Sequence, residues 1–382
     1  MCMGSSRAYR ALAILTLLGA TAAKPDERSW LNVNFPRDSP VDVVSFNLGD
    51  STASVSGISL ALALHTSLTL RNTSNKRVRG LTLLVQAEDL TSAGRGSVTV
   101  PSLNVMPGEI FPVRINLELL RPFNTTRNGG ALVEVTLDCV LFDDLSAYGP
   151  DKLRSRRNLI VYEREAERDR KYFRNLIETG QTAKLQEEMN FGLPDVRPPE
   201  LGFELLNGIH RDTSPSRPVS VSIVPFPDAP VQMLNGAARI YRNEVHAPEL
   251  DVRNQTKKML QNVEVGWILR DENGRNYVAG SLPANVAIGP VQQVKVLQGA
   301  VLRFSHASGR PMLVDAVMAY ISNVQFSDGD LWIPSRGDIA NTQLDASVKR
   351  ALASSPETQR LSEIYRRRGI SGLTAELLKS PN

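Results

Sequence analysis

Residues 70–78 read LRNTSNKRV, and residues 252–260 read VRNQTKKML. Both stretches contain an Arg-Asn pair followed by a short polar run and an apolar residue, and they lie 182 positions apart. Similarity at a fixed offset is the sequence signature of a repeated structural unit. The two stretches therefore predict that the chain contains two copies of one domain.

The register of this repeat continues with only two single-residue slips over about 75 residues. We assign structural roles to the positions that recur. These repeat-signature positions are Arg71, Asn72, Asp89, Pro107 and Phe142 in the first copy, and Arg253, Asn254, Trp267, Asp271, Pro290 and Phe326 in the second.

Each copy alternates apolar and polar residues in short runs that are separated by Gly, Pro, Asn and Asp. Alternation with a period of two is typical of half-buried strands. Six or seven such strands in about 110 residues predict a mainly β fold of two immunoglobulin-like antiparallel β-sandwiches. In the last strand of each copy the apolar residues change face, after Leu137 and after Ile321, which predicts a β-bulge or a strand end buried on both faces.

The second copy resembles the FxLYD-type domain of bacterial exported proteins. The resemblance is carried by Val252-Arg253-Asn254, the alternating Val263 and Val265, Trp267-Ile268-Leu269-Arg270-Asp271, Gly274, and Ile288-Gly289-Pro290. Trp267 stands where that pattern has phenylalanine and Arg270 where it has tyrosine, and the first copy lacks the aromatic step at residues 85–89. The resemblance implies an immunoglobulin-like, non-catalytic exported module with no defined active residues.

The first 23 residues have the layout of a secretory signal peptide. Arg7 and Arg10 precede an apolar run at 11–20, which is shorter than the roughly 20 residues needed to cross a bilayer, and small residues follow at 20–23. We expect cleavage after Ala22 or Ala23 and a periplasmic or extracellular location; the alternative is an uncleaved anchor. Loss of the two arginines takes the formal charge from +4 to +2, so the composition does not indicate a nucleic-acid partner.

The sequence therefore divides into a signal peptide at 1–23, a first β-sandwich at 24–150, a helical connector at 151–190, a proline-rich linker at 191–218, a second β-sandwich at 219–337 and a helical tail at 338–382. The tail contains a helix that we expect to be capped by Ser355, to start at Pro356 and to end before Gly369.

The connector places Tyr162, Ala166, Asp169, Phe173 and Leu176 on one face at helical spacing, with Asp169 as the polar exception. We interpret it as a solvated helix that spaces or braces the sandwiches. The alternative is a helix that binds a partner or lipid headgroups through basic residues, namely Arg164, Arg168, Lys171 and Arg174.

The sequence indicates no catalytic, cofactor-binding or metal-ligating site. His65, His210, His246 and His306 are scattered, and no catalytic or metal-binding motif is present. Asp143-Asp144 and Asp328-Gly329-Asp330 are interpreted as loop aspartates rather than calcium ligands. Cys139 is interpreted as a buried core thiol.

Asn72 and Asn254 are interpreted as turn residues whose side chains bond nearby backbone. N-glycosylation is the alternative, because Asn72, Asn124 and Asn254 each begin an acceptor triplet.

We therefore expect an exported, non-enzymatic protein that binds or scaffolds another envelope or extracellular protein without a cofactor. Contact with a membrane is expected only if the signal segment is retained. Two alternatives stay open. The first is a periplasmic chaperone-like protein that captures a client strand at a sheet edge, and the second is a cryptic hydrolase whose residues assemble from distant positions.

Overall fold

The computed structural model describes residues 30–87, 94–122, 131–192, 201–206, 216–284, 286–297, 301–306 and 310–379. Within these ranges the protein is mainly β, with several antiparallel sheets, as the sequence predicted. The expected signal peptide, Asp89, Asn124 and His210 lie outside the described residues.

The described part of the first β unit contains nine strands in two sheets. One sheet has the order β1-β8-β5-β6 with β9 beside β8, and the other joins β2, β3 and β7 to the long strand β4. Apolar side chains from both sheets, such as Leu64, Leu83, Ile115 and Val135, form one core between them. The strands are β1 (Leu31–Asn34), β2 (Val41–Asn47), β3 (Thr52–Ser56), β4 (Ser59–Asn72), β5 (Val78–Gln86), β6 (Arg95–Val100), β7 (Ile110–Pro122), β8 (Val133–Phe142) and β9 (Ala147–Tyr148).

The second β unit repeats this plan, and its described residues form eleven strands. One sheet has the order β12-β19-β15-β16 with β20 beside β19, and the other has the order β10-β18-β14-β13-β11 with β17 beside β14. Trp267 is fully buried in the core between these sheets. The strands are β10 (Gly202–Leu206), β11 (Arg217–Ser220), β12 (Ser222–Ile223), β13 (Val231–Tyr241), β14 (Glu244–Asn254), β15 (Leu260–Asp271), β16 (Asn276–Ala284), β17 (Gln293–Leu297), β18 (Val301–Ser305), β19 (Val314–Phe326) and β20 (Leu331–Trp332).

Two features of the sheets differ from the sequence-based expectation. β1 pairs with β8 in parallel, and β12 pairs with β19 in parallel, so each unit contains one parallel strand pair. β10 lies inside the segment predicted as an extended linker, yet it pairs with β18 in antiparallel register. Pro194, Pro198 and Pro199 precede β10 in the sequence. Because prolines are typical of loops and linkers, they led to the prediction of a linker over the whole of 191–218.

A β-bulge occurs at the same place in both units, which confirms the predicted change of face. Asp138 is the extra residue in β8, because Thr82 pairs with Cys139 and Leu83 with Leu137. Ser322 is the extra residue in β19, because Glu264 pairs with Asn323 and Val265 with Ile321. The end of β8 is also buried on both faces beyond the bulge.

Among the described residues from 155 onward, five helices pack outside the sheets, and we call them the helical bracket. They are α1 (Ser155–Glu178), α2 (Thr182–Phe191), α3 (Arg336–Ala340), α4 (Ala346–Ala353) and α5 (Pro356–Leu378). Phe173 and Leu176 of α1, Leu185 and Met189 of α2, and Leu361, Leu373 and Leu377 of α5 share one apolar cluster. The connector and the C-terminal tail, which are distant in sequence, therefore form one packed body.

The bracket contacts both β units. Leu159 of α1 packs against Cys139 and Leu141 of β8, and it approaches β5 so closely at Gly80 that an added Cβ would lie 2.8 Å from the Leu159 side chain. Ile339 of α3 and Val348 of α4 pack against side chains of β15 and β19. The helices thus cover the β8 sheet of the first unit and the equivalent β19 sheet of the second.

The N-terminus of α5 is formed as the sequence predicted. The Ser355 hydroxyl accepts a hydrogen bond from the Thr358 N–H at 3.3 Å, and Pro356 occupies the first helical position. Gly369 interrupts the helix with a φ of 64°, after which a second helical arm reaches Leu378. This second arm folds back, because Arg360 before the break forms an ion pair with Glu376 after it.

Candidate functional site

The two repeated asparagines occupy identical corners of the β units. The Asn72 amide nitrogen donates to the carbonyl oxygens of Lys76 and Val105, at 2.8 and 3.1 Å, and its amide oxygen accepts from the Ser74 N–H and hydroxyl. Both asparagines are fully buried. A side-chain amide with these bonds is not accessible for glycosylation in the folded protein.

Asn254 makes the corresponding bonds. Its amide nitrogen donates to the carbonyl oxygens of Lys258, Ile288 and Gly289, at 2.8, 3.2 and 2.9 Å. Its amide oxygen accepts from the Thr256 N–H and hydroxyl. Each asparagine therefore ties a strand end to the turn after it and to a more distant loop, which explains why the residue recurs in register.

The lysines that follow these asparagines also occupy equivalent positions. Lys76 binds the Asp144 carboxylate at 2.7 Å and lies 5.6 Å from the centre of the Phe142 ring. Lys258 binds Asp328 and Asp330, each at 2.7 Å, and lies 5.4 Å from the Phe326 ring.

Three of the four aspartates that we considered as calcium ligands, namely Asp144, Asp328 and Asp330, are therefore bound by a lysine of their own chain. Among the described residues, no group of three or more His, Cys, Asp or Glu side chains is arranged to hold a metal ion.

The other repeat-signature residues are spread over turns, strand surfaces and the core. Arg71 and Arg253 are exposed on β4 and β14, and Pro107 and Pro290 lie in exposed turns before β7 and β17. Those that the structure describes lie at separate places in the two β units rather than at one site.

Asp271 forms the turn between β15 and β16. Its carboxylate accepts bonds from the Asn273 and Arg275 N–H groups at 2.9 and 2.8 Å, and from the Tyr277 hydroxyl at 3.2 Å. These bonds hold the pKa of Asp271 below its usual value, against the opposing effect of burial.

Cys139 is buried, but on a different face from the one that simple alternation indicates. The bulge at Asp138 turns Cys139 and Leu141 toward Leu159 of α1, while Val140 and Phe142 enter the core of the first β unit. Burial raises the pKa of the thiol to about 12, so the group stays protonated at neutral pH and lacks the thiolate needed for reactivity.

Both bulges anchor the start of α1. The bulged Asp138 accepts a hydrogen bond from the Ser155 hydroxyl at 2.5 Å and another from the Leu153 N–H at 3.3 Å. Two residues further along the helix, Arg157 forms an ion pair with Glu264 at 2.7 Å and donates to the Asn323 side chain beside the second bulge. One turn of helix therefore contacts the same structural feature in each β unit.

Asp169 lies in the middle of the bracket and is fully buried. One carboxylate oxygen accepts from Arg168 and Arg336 at 3.0 and 2.9 Å, and the other accepts from the hydroxyls of Ser355 and Thr358 at 2.5 and 2.8 Å. Burial alone would raise the pKa of Asp169, but the two arginines and these hydrogen bonds lower it. Asp169 is therefore an ionised, fully bonded carboxylate that joins α1 to the start of α3 and of α5.

A second chain of ion pairs runs from the bracket to the first β unit. Arg170 binds Glu163 at 2.6 Å and Glu357 at 3.3 Å, and all three side chains are buried. The chain of ion pairs continues through Arg360, which binds Glu357 at 2.9 Å and Glu376 at 2.5 Å.

Glu376 carries this chain of contacts to a loop of the first β unit. Its carboxylate accepts from the Asn104 amide at 2.8 Å, and Arg79 of β5 donates to the same amide group at 3.0 Å. Although burial opposes it, the bonds from Arg360 and Asn104 lower the pKa of Glu376 to about 2. The C-terminal arm is therefore fixed to the first β unit by a hydrogen bond from the neutral Asn104 amide to the ionised Glu376 carboxylate.

Glu165 has the opposite electrostatic character. It is half-buried on α1, close to Glu264 of β15, and burial raises its pKa to about 7. Asp169 and Glu264 raise the pKa further, and Arg168 lowers it. Its surroundings thus disfavour the ionised form of Glu165, in contrast to Asp169 and Glu376.

A polar cleft of about 900 Å³ lies between α1 and the start of β5. Its lining combines basic and acidic side chains, namely Arg77, Arg79, Arg164, Arg170, Lys171 and Arg174 with Asp143, Glu163, Glu167 and Glu178. Arg164, Lys171 and Arg174, three of the four basic residues of the alternative partner-binding interpretation, therefore line this cleft. The fourth, Arg168, instead donates to the carbonyl oxygens of Pro334 and Ala353 within the junction.

None of the three described histidines lines this cleft. His246 lies 3.0 Å from the Glu244 carboxylate, which also binds Arg303 at 2.9 Å, and the His306 ring stacks edge-on against Tyr277. No helix of the described residues is long and apolar enough to cross a membrane.

Sequence reasoning missed the residues that join the units. Glu163, Arg170, Arg336 and Glu357 look like ordinary surface charges, since each has at least one polar neighbour in the sequence and none belongs to a recognisable motif. The only sequence signal for these ion pairs was Asp169, the one polar residue on an otherwise apolar helical face. A charge at a buried position requires partners, so Asp169 indicated that other polar residues pack against it.

Comparisons with known proteins do not assign the chain to a family. No family model matches it, and no curated protein matches it. Among solved structures, that of a red sea bream transglutaminase is similar over 75% of this chain and 31% of its own length, with 9% sequence identity and a TM-score of 0.12. A superposition with so low a score does not establish a shared fold, and the chain spans less than a third of that protein.

Proposed function

We propose that the chain is an exported, non-catalytic binding or scaffolding protein of the cell envelope, built from two duplicated immunoglobulin-like sandwiches. The equivalent asparagine corners, lysine pairs and bulges of the two β units support the duplication. The FxLYD-type resemblance of the second copy and the signal-like N-terminus support export and an envelope partner.

The observation that carries the scaffolding proposal is the bonding of Asp169. A buried carboxylate is costly unless every one of its acceptor sites is used, and here two arginines and two hydroxyls from three helices converge on it. Such a contact stabilises one arrangement of the elements that it joins. A protein whose two β units are held this way would present their surfaces to partners at a fixed spacing.

The experiment is chemical crosslinking followed by pull-down of the protein from its native envelope, compared between the wild type and Asp169→Ala. The proposal expects a reproducible set of partners for the wild type and a loss of those that contact both β units in the variant. Recovery of the wild-type protein alone under every condition would contradict it.

A second candidate is a chaperone-like protein that captures a client strand at a sheet edge. The long strand β7 favours it, because among the described residues this strand pairs on one side only. A hydrolase is not favoured by any geometry described above, since no described histidine faces the polar cleft. Turnover of an ester or peptide substrate by the purified protein would revive that alternative.

A further inference from the structure

The outer edge of β7 exposes a regular row of main-chain groups. The Asn72 N–H donates to the Glu109 carbonyl at 3.0 Å, which sets the direction of the β4–β7 ladder: odd-numbered residues of β7 face β4. The even-numbered residues from 110 to 120 therefore direct their N–H and C=O groups away from β4. Pro112 fits this arrangement, because its missing N–H would face outward.

The second β unit shows that this edge of the fold accepts another strand. In that unit β18 lies beside the first half of β14, and the end of β7 lies beside the first half of β4 in the same way. The outer edge of β18 is covered by β10, in antiparallel register from Gly202↔Ser305 to Leu206↔Val301. Within the described part of the chain, no strand covers the corresponding edge of β7. A long open edge is a template for pairing with another chain.

The side chains along β7 indicate which chain fits. Arg114, Asn116 and Glu118 are all exposed, they alternate along the strand, and neither charged residue forms an ion pair with another described residue. The charges are placed symmetrically about Asn116. When two copies of this segment run antiparallel about Asn116, each Arg114 lies directly opposite the Glu118 of the second copy.

We propose that β7 is a homodimer interface, in which two copies pair edge to edge about a twofold axis at Asn116. Two-fold closure is the commonest symmetry of soluble oligomers, and it requires a self-complementary surface of this kind. The ladder would contain about eight main-chain hydrogen bonds, with one fewer at each Pro112 than a regular pair would have. It would also cover Leu120, which is 46% exposed, by placing it opposite Pro112 of the second copy.

Other registers are less favourable. Pairing about residue 114 places Arg114 opposite itself, and pairing about residue 118 places Glu118 opposite itself. Like charges directly opposite each other destabilise a strand pair, whereas opposite charges stabilise it. Among registers centred on an outward-facing residue, the charge pattern therefore favours pairing with a second copy about Asn116.

The test is sedimentation velocity of the purified full chain over a concentration series, with charge reversal at the interface. The wild type should form a concentration-dependent dimer. Arg114→Glu and Glu118→Arg should each weaken dimerisation by at least about tenfold, because each creates two pairs of like charges. The double variant, Arg114→Glu with Glu118→Arg, should restore the dimer because it restores both opposite-charge pairs. Glu272→Arg, in an exposed turn of the second β unit, is the matched control and should leave the dimer unchanged.

An independent variant tests the main-chain ladder. Asn116→Pro removes only an outward N–H, as Pro112 already does. The first β unit should therefore fold, while the dimer is lost. The circular dichroism spectrum and the melting temperature check the folding. A wild type that remains monomeric at all concentrations would overturn the proposal and leave a strand of another protein as the occupant of this edge. Failure of the double charge reversal to restore the dimer would also overturn it. Neither result depends on the envelope partners tested above.

Discussion

The two β units share their corners but differ at their edges. Asn72 and Asn254 make the same kinds of bonds, and Lys76 and Lys258 bind equivalent aspartates. In contrast, β10 covers one edge of the second unit, while the described part of the first unit leaves β7 uncovered. The contacts that recur are those that close each unit, and the contacts that differ are those that decide what each unit can bind.

The bracket makes a second difference between the units. It reaches the first through Asp138, Arg79 and Asn104, and the second through Glu264 and Asn323. The polar contacts with the first unit include a chain of buried ions. The second unit is held by a smaller polar group around Arg157 together with the apolar contacts of Ile339 and Val348. Substitutions test these differences at four places: the bracket, the asparagine corners, Glu165 and the surface lysines. The expected effect on stability decreases in that order.

The largest effect is expected for Asp169→Ala. Removal of this carboxylate leaves Arg168 and Arg336 facing each other in a buried site without their shared partner. Breaking a buried ion pair on one side costs about 3 to 5 kcal/mol of the free energy of unfolding. Urea denaturation followed by tryptophan fluorescence measures this loss, with Glu187→Ala, at an exposed ion pair with Arg350, as the control.

A change below about 1 kcal/mol for Asp169→Ala would show that the bracket does not depend on this charge. Asp169→Asn keeps the shape of the side chain, and its free energy of unfolding should lie between those of the wild type and Asp169→Ala. An amide oxygen can still accept from the hydroxyls, but it carries no charge for the arginines.

The next effect is expected at the corners. Asn72→Ala and Asn254→Ala each leave several buried carbonyl and N–H groups without a partner, so each should lower the free energy of unfolding by about 2 to 4 kcal/mol. The two losses should be similar, since the bonds are equivalent. Thermal denaturation of both variants measures them, and a large effect at one corner with none at the other would contradict the structural equivalence of the units.

A smaller and pH-dependent effect is expected for Glu165. Its pKa is raised from an ordinary value of 4.5 to about 7, so the folded state binds its proton more tightly than the unfolded state does. The contribution of Glu165 to stability is therefore greatest below pH 4.5 and is lost as the pH rises through about 7, with a total change of about 3 kcal/mol.

Glu165→Gln should remove this dependence and raise the melting temperature at pH 8. Melting curves of the wild type and the variant between pH 5 and pH 8 provide the comparison. A variant that melts below the wild type at pH 8 would show that ionised Glu165 is stabilised by its neighbours.

The smallest effect is expected for Lys258→Met. The lysine lies on the surface between Asp328 and Asp330, where solvent and salt screen the attraction. The melting temperature should change less than in the Asp169, Asn72, Asn254 and Glu165 variants, and the change should shrink further as salt is added. A loss comparable to that of Asn254→Ala would mean that this lysine is part of the corner rather than an addition to it.

These differences also show how much the sequence could predict. The mainly β class, the bulge in the last strand, the turn at Asp271 and the start of α5 at Ser355 and Pro356 all follow from local rules of spacing and capping. Each of these features is encoded within a few residues. Local reasoning was sufficient for them because the physical cause is itself local.

The junction could not be predicted in the same way. Asp169 is stabilised by Arg336, Ser355 and Thr358, which are more than 160 positions away, and nothing in the sequence indicates that these residues meet. β10 was missed for a related reason, because its partner β18 lies about 100 positions further along the chain. The assignment of Cys139 to the core face was wrong in detail because the single extra residue at Asp138 reverses the alternation after it.

The central claim is that the helical bracket holds the two β units in one fixed arrangement. The most direct measurement is the distance between spin labels on the two units, placed at Ser54→Cys and Glu272→Cys, with Cys2→Ser and with the protonated, buried Cys139 left in place. The account predicts one narrow distance distribution for the wild-type background and a broad one when Asp169→Ala is added. A broad distribution without Asp169→Ala, or a narrow one that this substitution leaves unchanged, would contradict it.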